Sequence, residues 1–165
     1  MFCLCANLFI FVAITFKKKK MKKTLLSIFL LLSISISGFS QIDKIVGRWK
    51  TIDDKDGSAK SIVFIFKATN GRYYGKIEKL FKNPDELCTE CEGANKNKPK
   101  LGMLVINNMI IKDNGLTGGT ILDPHDGKVY RCNIKFDPET GNLKVRGSLD
   151  KNGWIGRSQT WIREK

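Results

Sequence analysis

Six times between residues 54 and 153 the chain runs through a short polar stretch that closes on glycine. The stretches are Asp54-Lys55-Asp56-Gly57, Thr69-Asn70-Gly71, Asp113-Asn114-Gly115, Asp123-Pro124-His125-Asp126-Gly127, Asp137-Pro138-Glu139-Thr140-Gly141 and Asp150-Lys151-Asn152-Gly153. Asp opens such turns by accepting a backbone N–H two residues on, Pro presets φ, and Gly takes the positive φ that returns the chain to a strand. The glycines fall 14, 44, 12, 14 and 12 residues apart. Spacing this regular marks short antiparallel strands joined by tight connections and leaves no room for a helical domain.

The segments between the turns carry the matching pattern. In Lys128–Phe136, Tyr130, Cys132, Ile134 and Phe136 alternate with Arg131, Asn133 and Lys135; in Asn142–Leu149, Leu143, Val145, Gly147 and Leu149 alternate with Lys144, Arg146 and Ser148. Period two with one apolar face belongs to a sheet that is wet on one side. Further strands are expected at Gly47–Thr51, Lys60–Lys67, Arg72–Leu80, Leu116–Leu122 and Trp154–Arg163, with one or two more in Gly102–Lys112. Ser61–Lys67 (SIVFIFK) is apolar on both faces, which suggests an outer cover from the N-terminal turn around Ile42–Val46. Eight or nine antiparallel strands can close on themselves and remove their free edges, so the expected fold is all-β: an antiparallel up-and-down barrel. The gap of 44 holds one long loop, Phe81–Leu101.

With 165 residues, 42% of them hydrophobic and 27% charged, the chain suits a single packed domain and excludes disordered, collagenous and coiled-coil classes. Residues 21–40 (MKKTLLSIFLLLSISISGFS) have the layout of a secretory signal peptide. Lys22 and Lys23 form its basic region, Leu25–Ile36 its apolar stretch, and Gly38 and Ser40 stand at the small positions before a cut ahead of Gln41. Residues 1–20 read as an upstream segment translated from a mis-assigned start, with Met21 as initiator. The mature domain is then 41–165, exported to the periplasm or the medium. Removing the leader's six lysines from 29 basic residues leaves 23 against 16 acidic ones, a net charge of +7. That balance points away from nucleic acid and is compatible with anionic lipid or another envelope polyanion.

The residues also resemble a known family. Gly47-Arg48-Trp49 resembles the opening of lipocalin-like barrels, in which a Trp near the start of the first strand plugs one end. The mature chain is similar throughout to the bacterial domain-of-unknown-function 2147 family. The resemblance rests on GRWKT (Gly47–Thr51), YGKI (Tyr74–Ile77), the C-x-x-C loop with NKPKLGM (Asn97–Met103), GGTILDP with GKVY (Gly118–Tyr130), LKVRGSL (Leu143–Leu149) and GRSQTWIR (Gly156–Arg163). Leu116 departs from the pattern, which has tryptophan before the glycine pair. The resemblance implies a lipocalin-like barrel in an exported protein; it brings no activity, substrate or catalytic residue.

Cys88 and Cys91 suit a local disulfide in an oxidising compartment. The weaker alternative is half of a zinc site, for which His125 and Cys132 are the remaining ligands of the usual kind besides acids. Redox use would need a lowered thiol pKa, and Glu90 and Glu92 raise it. Cys132 reads as a core thiol, His125, the one histidine, as a solvated turn residue, Asp123 and Asp126 as turn formers, and Gly118-Gly119 as a bend at a barrel corner. No nucleophile elbow, zinc-protease motif, phosphate loop or dinucleotide fingerprint occurs, so neither enzyme chemistry nor a cofactor is expected. A plug of Gly47, Trp49 and Trp161 is expected at the seam of first and last strands, with Arg157 or Arg163 stacked on Trp49. The inward set Phe64, Tyr73, Tyr130, Phe136 and Leu143 is either solid core or cavity wall.

Two functional readings follow. In the first, a monomeric barrel holds a small apolar or amphipathic ligand in its mouth, lined by Tyr73, Tyr130, Phe64 and Phe136, under a lid formed by Phe81–Leu101. In the second, a solid barrel offers a basic face to a partner protein or anionic lipid of the envelope. An oxidoreductase built on Cys88 and Cys91 is the third and weakest reading.

Overall fold

The computed structural model describes residues 40–54, 56–150 and 152–165. The expectations for the segments 1–20 and 21–39 lie outside the described residues. A short helix, α1 (Ser40–Ile45), leads into eight strands: β1 (Gly47–Ile52), β2 (Ala59–Lys67), β3 (Tyr73–Leu80), β4 (Leu104–Lys112), β5 (Gly115–Leu122), β6 (Val129–Phe136), β7 (Leu143–Ser148) and β8 (Gly156–Arg163). Each strand pairs antiparallel with the next, and β8 returns to β1 through Trp49–Arg163 and Lys50–Ile162, closing the barrel. Gly102–Lys112 therefore holds one strand, beginning at Leu104.

Three connections are built alike. Gly57, Gly127 and Gly141 donate their N–H to the carbonyls of Asp53, Asp123 and Asp137, and those three Asp donate back to the residue just after the turn. The carboxylates of Asp123 and Asp137 accept the N–H of His125 and Glu139 two residues on. All three glycines have φ near +70° (72°, 72° and 71°), a conformation that penalises a Cβ. Trp154 and Ile155 were expected to open the last strand. They stand outside it because the Asp150 carboxylate takes both of their N–H groups, at 3.0 and 2.8 Å, and holds them in the turn.

Connections alternate between the barrel's two ends. The β2–β3, β4–β5 and β6–β7 turns share one end with α1; the other three connections, with the long 81–103 loop, share the opposite end. Inward residues near α1 pack solidly: Ile45, Trp49, Ile65, Tyr73, Met109, Leu116, Ile134 and Leu143 are all buried. Outward positions of β6 and β7 carry Arg131, Lys135, Lys144 and Arg146. On these two strands the charged side chains lie outside, whereas the outer band of a membrane-spanning barrel is apolar. Among the described residues no helix is long and apolar enough to cross a membrane.

Candidate functional site

At the end away from α1 the interior opens into a cavity of about 510 Å³. Its walls are Val63, Ile77, Val105, Ile121, Val145 and Trp161, one apolar side chain from each of six strands. Polar groups stand on two sides. Thr51 (β1), Ser61 (β2) and Gln159 and Arg157 (β8) lie toward the seam, and Tyr130 (β6) faces in from the other side. The Thr51 and Ser61 hydroxyls are 2.8 Å apart and satisfy each other, so the seam side is polar there without leaving a buried hydroxyl stranded.

Two charged contacts edge the mouth. The Tyr130 hydroxyl donates to Asp126 Oδ2 at 2.7 Å, and Asp126 also accepts the N–H of Lys128. This bond, reinforced by desolvation, pushes the Tyr130 hydroxyl up to about 12. For Asp126 desolvation pulls upward, but the Tyr130 and Lys128 bonds outweigh it and hold the carboxyl below its ordinary value. Across the mouth Asp54 Oδ2 accepts from Gln159 Nε2 at 2.9 Å and pairs with Arg157 Nη1 at 3.3 Å. Gly147, opposite Arg157 in the register, makes room: an added Cβ there would meet the Tyr130 side chain at 3.4 Å and Ile121 at 3.6 Å.

The residues expected to line a site separate by place. Tyr130 lines the cavity; Tyr73 points inward but is buried at the closed end beside Met109, and Phe136 lies at that end under Lys44. Phe64 faces out. Trp49 and Val63 pair on the inner face, so the next pair, Arg48 and Phe64, must lie outside, where Phe64 stacks on Phe66 and Phe66 on Tyr74. This external aromatic stack explains why SIVFIFK is apolar on both faces, and α1 covers the barrel's end instead.

The plug also resolves by position. Arg163, not Arg157, stacks on Trp49, with its guanidinium 4.1 Å from the ring centre. Arg163 donates to the Lys44 and Val46 carbonyls and Trp49 Nε1 to the Ile45 carbonyl at 2.7 Å, so side chains from β8 and β1 satisfy three carbonyls at the end of α1. Gly47, at φ 133°, passes so close that a Cβ would lie 2.7 Å from Arg163 Nη1. Arg157 shares the inward register but lies six residues, about 20 Å, back along the strand. Trp161 belongs to the cavity wall.

Cys88 and Cys91 form a disulfide, and both are fully buried. The 81–103 loop contributes no residue to the cavity lining. It packs against the β5–β6 turn, where a Cβ on Gly127 would collide with the Glu90 carbonyl. Cys132 is the buried thiol expected, its pKa pushed up to about 12 by desolvation. Gly119 lies so close to the Asn107 backbone and Met109 that a side chain has no room, in keeping with a packed corner.

The missed mouth residues, Asp54, Thr51, Ser61 and Gln159, had a readable signal. Consecutive connections must alternate between barrel ends, so inward positions next to the β1–β2, β5–β6 and β7–β8 turns all belong to one mouth.

Residues 47–163 match the family model described as an uncharacterized protein conserved in bacteria, DUF2147. Among solved structures, the chain is similar to protein HP1028 from Helicobacter pylori, described as belonging to the lipocalin family. The identity is 22% and the TM-score 0.64, over 73% of this chain and 82% of that one. At that identity the likeness shows the fold. No curated protein matches.

Proposed function

This chain belongs to the DUF2147 family, and we propose that it is a binding protein that takes a small amphipathic molecule into the open end of its barrel. The observation that carries this reading is the division of the interior: packed solid beside α1, hollow at the mouth. Close packing is the default for a protein interior, and here one half of the same interior departs from it. A volume of about 510 Å³ lies within the range of small-molecule sites. Most of the polar side chains below the rim, Thr51, Ser61 and Gln159, lie on the seam side and would orient a guest with its polar part toward β8, β1 and β2. The walls all come from one chain, so a monomer suffices.

Binding is favoured over catalysis by the state of the titratable groups. Tyr130 keeps its proton far above neutral pH, and His125 stands exposed in a turn. We place the protein outside the cytoplasm, on the signal-like residues 21–40 and on the Cys88–Cys91 disulfide, a bond that persists in oxidising compartments. A second reading, an envelope contact surface, is favoured by one observation. Leu149, Trp154 and Ile155 on the β7–β8 connection are 64%, 85% and 65% exposed.

Gly147→Leu tests the proposal. A Cβ at Gly147 makes only ordinary contacts, so the barrel tolerates it, while the rest of the leucine fills the mouth. An environment-sensitive apolar dye should bind the native protein and bind Gly147→Leu at least tenfold more weakly at unchanged thermal stability. Equal binding by both would place the dye elsewhere and defeat the proposal.

A further inference from the structure

We infer that the guest of this cavity carries a carboxylate, received by Arg157 and Gln159 in the place now held by Asp54; the inference rests on the binding reading above. Arg157 and Gln159 follow one another on the inward side of β8, at the rim and just below it. Their donors converge on a single oxygen, Asp54 Oδ2, at 3.3 and 2.9 Å. Asp54 belongs to the β1–β2 connection and reaches across to meet them. The arrangement is a carboxylate-binding site filled by the chain's own carboxylate.

The other charges at the mouth have partners of their own. Asp126 is held by Tyr130 and the Lys128 N–H, Asp123 accepts the His125 N–H, and Lys60 lies 3.8 Å from Asp53. Arg157 is the cation whose partner can be exchanged at least cost, because its side chain is 64% exposed and an exposed pair contributes little. A guest carboxylate presenting two oxygens to the guanidinium fork and the Gln159 amide would make more charge-assisted bonds than the one oxygen of Asp54. Its tail would then run down past Val63, Val145 and Trp161. Displacing Asp54 would part the β1–β2 connection from β8, while the Lys82 contacts with Asp56 and Ser58 still hold its other side.

Decanoate and decanol, which share a chain and differ in charge, separate the possibilities by calorimetric titration of the purified protein at pH 8. The native protein should bind decanoate about tenfold more tightly than decanol, the scale of one or two charge-assisted hydrogen bonds. Arg157→Gln should abolish that preference by weakening decanoate alone. Asp54→Asn, which removes the competing charge, should tighten decanoate about threefold and leave decanol unchanged. Decanoate and decanol binding equally, or Arg157→Gln weakening both alike, would overturn the carboxylate inference while leaving the cavity reading intact. Binding of neither probe would overturn the cavity reading itself.

Discussion

Gly47, Trp49 and Arg163 form a unit in which each residue needs the other two. The positive φ and the missing Cβ of Gly47 let the Arg163 guanidinium lie on the Trp49 ring and reach the last carbonyls of α1. Trp49→Ala is therefore expected to cost about 3–5 kcal/mol and Arg163→Ala about 1–2 kcal/mol, read by denaturant unfolding. Gly47→Ala should cost more than Arg163→Ala, since it displaces the same guanidinium and also puts a Cβ on a backbone at φ 133°. If Arg157→Ala destabilised the protein as much as Arg163→Ala, the placement of the plug would be wrong. A second residue-scale prediction concerns pH. The Tyr130–Asp126 bond is intact where Tyr130 is protonated and Asp126 ionised. Tyr130, raised from 10.0 to about 12, adds stability in full below pH 10 that is lost as pH climbs toward 12. Asp126, lowered from 3.8, adds stability above that value that is lost as pH falls below it. In an alkaline absorbance titration Tyr130 should ionise near 12, and Asp126→Asn should return it toward 10; an unmoved midpoint would contradict the bond.

At the scale of elements, the 81–103 loop supports a turn. The knuckle closed by Cys88 and Cys91 is buried against Asp123–Gly127, the segment that brings Asp123, Pro124 and Asp126 to the mouth. A ring this small removes little chain entropy, so its loss should lower Tm by only a few degrees. The double variant Cys88→Ser, Cys91→Ser should instead become sensitive to limited proteolysis within 82–98 and bind the dye more weakly. Unchanged dye affinity would mean that the loop and the mouth are independent. The strands themselves were legible because period-two patterning states which side chains share a face, as Tyr130, Cys132, Ile134 and Phe136 do on β6. Where both faces are apolar the pattern gives no parity, and it is the pairing of Trp49 with Val63 that turns Phe64 outward.

For the molecule as a whole, alternation indicates in or out and is silent on depth along the barrel axis. Tyr73, Phe136 and Tyr130 therefore looked equivalent, yet the first two adjoin turns of the closed end and only Tyr130 adjoins the mouth. Arg157 and Arg163 were indistinguishable for the same reason. The hollow itself has no signature in the sequence, because it arises where Gly147 and the small wall residues Val63, Val105 and Val145 meet from different strands.

Methyl-resolved NMR during a decanol titration tests this division most directly. The account predicts shifts at Val63, Ile77, Val105, Ile121 and Val145, with Ile42, Ile45 and Ile134 unmoved. Shifts confined to the exposed methyls of Ile110, Ile111 and Ile162, which lie outside the cavity, with the interior methyls silent, would contradict it.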